Sequence, residues 1–541
     1  MKCSPYRFRF IAALAILALG CTVARANDIY IAQTGAGTNT GADCADAYAV
    51  AFFNSAGNWG TGVGQIGPGT TVHLCGTIST ELRARGSGSS GSPVTILFVP
   101  GAQISLPACD NTNGCLNVSG LSWIVVDGGT PCGPGTTCAT SLSGTGIIQE
   151  TANGSGLASQ QSSIAVNAQA GCANCEFRNL IIGPLYQHTS TNDAFNFGAD
   201  GAIYMGGCNG CVTKVHDLTI HDTTSAVAYI PAASGDNGLQ IYHVYGYNYN
   251  GGVNIAGSSA SNILSGASIH DNYLGSAANW DAVGCPYHHD GVHVWGQTGG
   301  EILGVNYYNN VVAGDYGGCA TGAVFFEGYT GNENLYNNLF LITYTQENAG
   351  IVNLNGFNIG FYNNTIIGDL QSGDQCFDWG YASDSSFFYT PSISLENNVI
   401  GNCHALIVQN TTTVTKTAWD YNAYGELPGG GTMGYTYPAT WYYALATWQA
   451  ACACDSHSVI PSGGITASLN LNTSAVPQSG SPVIGAGANL TSLGITALAS
   501  DTSAGGTRSP VARSASQAWG IGAYSYASLP DAPTSLDVVV H

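Results

Sequence analysis

The feature that most constrains this chain is a short phrase that returns along it. Apolar residues lead into a pair of asparagines, apolar residues follow, and a glycine closes the unit. The copies are Tyr308-Asn309-Asn310-Val311-Val312, Tyr336-Asn337-Asn338-Leu339-Phe340, Tyr362-Asn363-Asn364-Thr365-Ile366 and Glu396-Asn397-Asn398-Val399-Ile400. Counted on the second asparagine, they stand 28, 26 and 34 residues apart. Looser copies precede them at Arg178-Asn179, His216-Asp217 and Asp271-Asn272. Self-similarity at this period signals a solenoid, in which each repeat buries its apolar residues against the next.

Composition selects the solenoid. The chain has 74 glycines and only 8% charged residues, and runs of helix-forming residues are scarce, which rules out helical repeats. Short Val-, Ile- and Tyr-rich segments bounded by Gly and Asn read as strands. The predicted class is all-β: a right-handed parallel β-helix with an N-terminal cap and a C-terminal capping region. Asparagine suits its turns because it tolerates left-handed backbone and its amide can bond the asparagine stacked above.

A second strand set lies between the asparagine turns: Asp200–Ile203, Gly251–Asn254, Asp290–His293, Thr321–Val324 and Ala349–Val352. These close on Gly206, Gly257, Gly296, Gly328 and Gly356. Strand alternation with Val292 and Val294 inward turns Gly291, His293 and Trp295 outward. Aligning the closing glycines sets Trp295, Glu327 and Asn355 in one outward row. The coils differ in length by one residue, which implies a bulge.

The asparagine ladder, the Asp-Gly strand and the closing motifs Ser481-Pro482-Val483-Ile484-Gly485-Ala486-Gly487 and Ile521-Gly522-Ala523-Tyr524 resemble secreted bacterial proteins of the pectate-lyase-like β-helix superfamily. The resemblance covers most of the chain after residue 26 and implies the fold. It names no reaction, because that scaffold hosts lyases, hydrolases, epimerases and non-enzymatic adhesins.

Residues 1–26 read as a signal peptide: Lys2, Arg7 and Arg9, an apolar run from Ile11 to Gly20, then Ala24-Arg25-Ala26. The expected division is 1–26 signal, 27–120 cap and first coils, 121–426 β-helix, 427–528 capping region with a short helix within 437–453, and 529–541 tail. The expectation is a secreted monomer with no membrane span. Cleavage would leave sixteen cysteines, an even number that favours disulfides in an exported chain. Cys44/Cys75, Cys109/Cys115, Cys132/Cys138, Cys285/Cys319 and Cys376/Cys403 are neighbours by sequence. Two C-x-x-C units, Cys172/Cys175 and Cys208/Cys211, read as local disulfides ahead of a zinc site. The formal charge is −21, and such an acidic chain opposes nucleic acid and unaided binding of anionic polymers.

The densest cluster of ionisable groups is Tyr287-His288-His289-Asp290-Gly291-Val292-His293-Val294-Trp295. An outward aromatic, a carboxylate and an amide on successive coils suit a polysaccharide. The expected roles are Asp290 and Glu327 as an acid/base pair and His289 and His293 as proton relay or orienting groups. Trp295, Tyr287, Asn355 and Asp315 would bind substrate. No cofactor is required; calcium is a candidate, with Asp281, Asp290 or Glu327 as ligands. The leading expectation is a glycoside hydrolase, which needs two carboxyls flanking the bond. A polyuronate lyase or epimerase would need a His or Tyr base and a cation. The Tyr-His-His-Asp run is similar in residue types to the set of alginate epimerases. A non-enzymatic sugar-binding or surface protein is the third reading. His216-Asp217, His221-Asp222 and His270-Asp271 fall at ladder turns and read as structural.

Overall fold

The computed structural model describes residues 27–526, apart from 145, 156–160, 187–200, 233–234, 258, 260, 282–284, 286–288, 297–299, 345–349, 371–373, 381–389, 412–413, 426–430, 461–468 and 500–508. The signal-peptide segment, the tail from 529 and Tyr287 lie outside the described residues.

The chain winds as an all-β solenoid. One coil shows the plan: Val305–Tyr308, Val311–Asp315 and Ala320–Gly328 form three faces. The next coil places Asn334–Tyr336, Leu339–Tyr344 and Gly350–Leu354 in parallel register beside them. This is a parallel β-helix arrangement. Alternate residues such as Val324, Phe326, Val352 and Leu354 are buried in a continuous core along the axis.

The two asparagines of each pair divide their work. The first supplies the left-handed turn, with φ of 57° at Asn309, 55° at Asn337, 52° at Asn363 and 61° at Asn397. The second is buried and bonds its neighbour along the axis. Nδ2 of Asn272, Asn310, Asn338, Asn364 and Asn398 each donates to Oδ1 of the next member, ending on Asn422. Asn422 passes the ladder to the buried Asp455, which also accepts from Tyr424, Trp448 and Ser458. Trp448 belongs to a short helix, Leu445–Cys452, packed over the end of the core. The first asparagines face outward and fasten the C-terminal segment. Asn337, Asn363 and Asn397 donate to the carbonyls of Thr496, Gly520 and Ala488. Val476, Leu498 and Tyr524 then pack on Val311 and Leu339 of the second face.

The third face carries the candidate site. Its strands are β1 (the end of Thr213–Ile230), β2 (the end of Leu239–Gly257), β3 (His289–Gly296), β4 (Ala320–Gly328), β5 (Gly350–Leu354), β6 (Gln375–Trp379), β7 (Ala405–Gln409) and β8 (Thr432–Thr436). The strand set expected from sequence passes directly from Gly206 to Gly257. A coil lies between them, where Val227 pairs with both Ile203 and Val253. It escaped notice because Thr213–Ile230 runs round its corners without Gly or Pro punctuation.

Eight disulfides occur among the described residues. They include all five sequence-neighbour pairs and both C-x-x-C units. Cys452–Cys454 completes the set. Such a set suits an oxidising compartment. Among the described residues no helix is long and apolar enough to cross a membrane.

Candidate functional site

Register along the third face stacks outward residues into columns. One column runs Asn254, His293, Phe325, Asn353 and Asp378 from β2 to β6. The next runs Ala256, Trp295 and Glu327. The expected pairing of Trp295 with Glu327 is therefore present. The Asn355 amide reaches the Phe326 carbonyl and continues the row, but Asn355 is buried. Partly exposed outward side chains on this face include Asn254 on β2, His293 and Trp295 on β3, and Phe325 and Glu327 on β4.

The implied bulge is real and changes one direction. Register shifts between His289 and Asp290, so that Asp290 pairs with Gly322. A Cβ on Gly291 would meet the Tyr316 hydroxyl and Val312 at 3.0 Å, both in the interior. Gly291 thus faces the core, correcting the outward direction that simple alternation gave it. Two successive inward positions return Asp290 to the side of His293. The same kink recurs on other coils: a Cβ on Gly251 would meet the Asn254 side chain, and one on Gly350 the Asn353 side chain. Asp290 is therefore a carboxylate in a column whose neighbours on either side, Gly251 and Gly322, are glycines.

Three ionisable groups meet there. His293 Nε2 lies 3.0 Å from Glu327 Oε1, and His293 Nδ1 lies 3.7 Å from Asp290 Oδ2. The Thr321 hydroxyl donates to Asp290 Oδ1 at 2.5 Å. The imidazole stacks on Phe325, with centroids 5.0 Å apart and planes 9° apart, and faces Trp295 at 6.4 Å. Exposure separates the roles: the Asp290 side chain is 4% exposed, against 24% for His293 and 29% for Glu327. Burial pushes the Asp290 carboxyl up to about 6, against the pull of His293 and the Thr321 bond. Burial drags the His293 pKa down, but the hydrogen bond to Glu327 and the charges of Asp290 and Glu327 outweigh it, so the net shift is upward.

The other expected site residues are placed differently. His289 is fully buried, with Nδ1 on Asn250 and Nε2 on Asp281. It holds a loop and is not a relay to the groove. Asp281 accepts from the Gly318 and Cys319 amides as well as from His289. Both of its oxygens accept hydrogen bonds that tie the loop before β3 to the Gly318–Cys319 backbone. Asp315 is exposed at the end of its strand, where its carboxylate accepts from the Gly317 amide. No bond among the described residues joins it to Asp290 or Glu327. Asp290 and Glu327 remain together, one on each side of the His293 ring, with Asp290 the more deeply buried. Thr321 was missed by sequence reading; its place before Gly322 on the longer coil was the available signal.

The His-Asp turns are structural, as expected. His216, His221 and His270 each bond the following aspartate at 2.7 Å. His216, Tyr242, His270, Tyr308 and Tyr336 stack face to face along the first face. Their faces are spent on one another.

No family model matches the sequence, and no curated protein matches it. Solved structures do. One is XylC in complex with xylose, at 11% identity and a TM-score of 0.41, covering 73% of this chain and 83% of that one. The PL6-family alginate lyase AlyGC gives 11% and 0.39, covering 71% and 53%. Pectate lyase Pel9A gives 11% and 0.27, covering 93% and 97%. Likeness at this level carries no argument about activity.

Proposed function

We propose that the third face binds an uncharged polysaccharide and hydrolyses its glycosidic bonds, with Glu327 as the carboxyl that meets the bond and His293 as its proton partner. The observation that carries this reading is the accessible carboxylate held 3.0 Å from a buried-edge imidazole, with a tryptophan beside it in the same column. A charge among Phe325, Phe326 and Gly328 needs a partner or a task, and perturbed ionisable groups in a groove are functional candidates. Trp295 offers a ring face to a sugar.

The substrate class follows from charge. From Val215 to Thr415 the sequence contains no lysine or arginine. A polyuronate lyase or epimerase must neutralise a substrate carboxylate, and no fixed basic side chain along this stretch is available for it. A calcium ion held by Asp290 and Glu327 would compete with the contacts His293 makes to both carboxylates. Hydrolases with paired carboxylates present both to the substrate; here a carboxylate and an imidazole are the accessible pair.

The test is a panel of neutral and acidic polysaccharides, read by new reducing ends and by ultraviolet absorbance of unsaturated uronates. Reducing ends from a neutral glycan without absorbance are expected. Absorbance would favour a lyase, and binding without turnover a carbohydrate-binding protein. Either result overturns the hydrolase reading.

A further inference from the structure

We propose that Asp290 is a positioning residue that never meets the glycan: with Thr321 fixing its carboxylate, it orients His293 and keeps the imidazole charged against Glu327. This rests on the preceding reading that Glu327 and His293 act on the substrate.

The geometry supports it from three sides. The kink before Val292 aims Asp290 at Nδ1 of the same imidazole whose Nε2 holds Glu327. The flanking positions on the coils before and after are Gly251 and Gly322, so the fold asks for no side chain there. The fixed carboxylate also has a donor of its own in Thr321, which leaves its other oxygen free to address the imidazole. The charged groups facing His293 are Asp290 on its own strand and Glu327 on β4; Asn254 on β2 and Phe325 on β4 carry no charge. A carboxylate 3.7 Å from Nδ1 acts on the ring through its charge and favours the imidazolium that donates to Glu327. Loss of that carboxylate lets the imidazole rotate and lose its proton, and the Glu327 side of the pair fails with it.

The experiment is a histidine-selective NMR titration of the full chain in wild type, Asp290→Asn and Thr321→Val, with the His293 signal assigned through His293→Gln. The His293 midpoint is expected to fall by about one pH unit or more in Asp290→Asn, the effect of removing an opposite charge at this range. A smaller fall is expected in Thr321→Val, which keeps the carboxylate and covers the case in which Asp290→Asn does not fold. In kinetics on a hydrolysed glycan, kcat should fall at least tenfold in Asp290→Asn, its pH profile should move, and KM should stay within about twofold. An unmoved His293 midpoint overturns the proposal, as does a KM that rises as far as kcat falls. The titration needs no substrate, so failure to find a hydrolysed glycan sinks the functional reading while leaving this one to be judged separately.

Discussion

Removing one member of the buried asparagine ladder should cost more than any surface asparagine, and Asn338 is the place to measure it. Its Nδ2 donates to Asn364 Oδ1 and to the Tyr307 carbonyl, both at 2.9 Å. Its Oδ1 accepts from the Asn310 amide at 3.0 Å and from Asn310 Nδ2 at 3.1 Å. Asn338→Ala deletes these four bonds in a fully buried site. At a net ~1 kcal/mol per bond the loss is about 4 kcal/mol, and donors stranded on Asn310 push it upward. Asn334→Ala is the control. Asn334 makes the same kind of amide-to-amide bond, to Asn306 at 3.2 Å, but on the exposed first face, where about 0.5 kcal/mol or less is expected. Urea unfolding followed by far-ultraviolet circular dichroism compares the two. If Asn338→Ala loses less than about 1 kcal/mol, or no more than the control, buried amide bonding does not hold the coils in register and the reasoning is wrong.

Glu327→Gln should lower turnover by roughly 10²–10⁴-fold while glycan binding survives, as measured by initial rates and by calorimetric titration. Trp295→Ala should do the converse, weakening binding more than the chemical step, and an unchanged dissociation constant would remove the tryptophan from the groove. Stability should fall as pH rises from about 4 to about 7. Burial pushes Asp290 up to about 6 and Asp378 up to about 7, so the folded state holds these protons more tightly than the unfolded one. The raised His243 and His293 act in the same sense, since their contribution is full below the unfolded value and is lost as pH rises through the folded one. Scanning calorimetry across this range checks the slope, and Asp378→Asn should flatten it.

The sequence by itself determined the solenoid, its asparagine ladder and the pairing of Trp295 with Glu327. These follow from spacing along one dimension, because each coil repeats the register of the last and closing glycines mark it. The five cysteine pairs were legible for a related reason: most bridge residues one coil apart or a few residues apart. Tertiary structure decided what spacing does not encode. The kink at Asp290 reverses simple alternation, so only the folded strand shows that Gly291 turns inward and Asp290 turns to His293. His289 sits within the same Tyr-His-His-Asp run as the site, yet its partner Asp281 comes from another segment and removes it from the groove. Depth likewise depends on what covers each position, which is why Asn355 is buried while Glu327, in the same row by sequence logic, stays partly exposed.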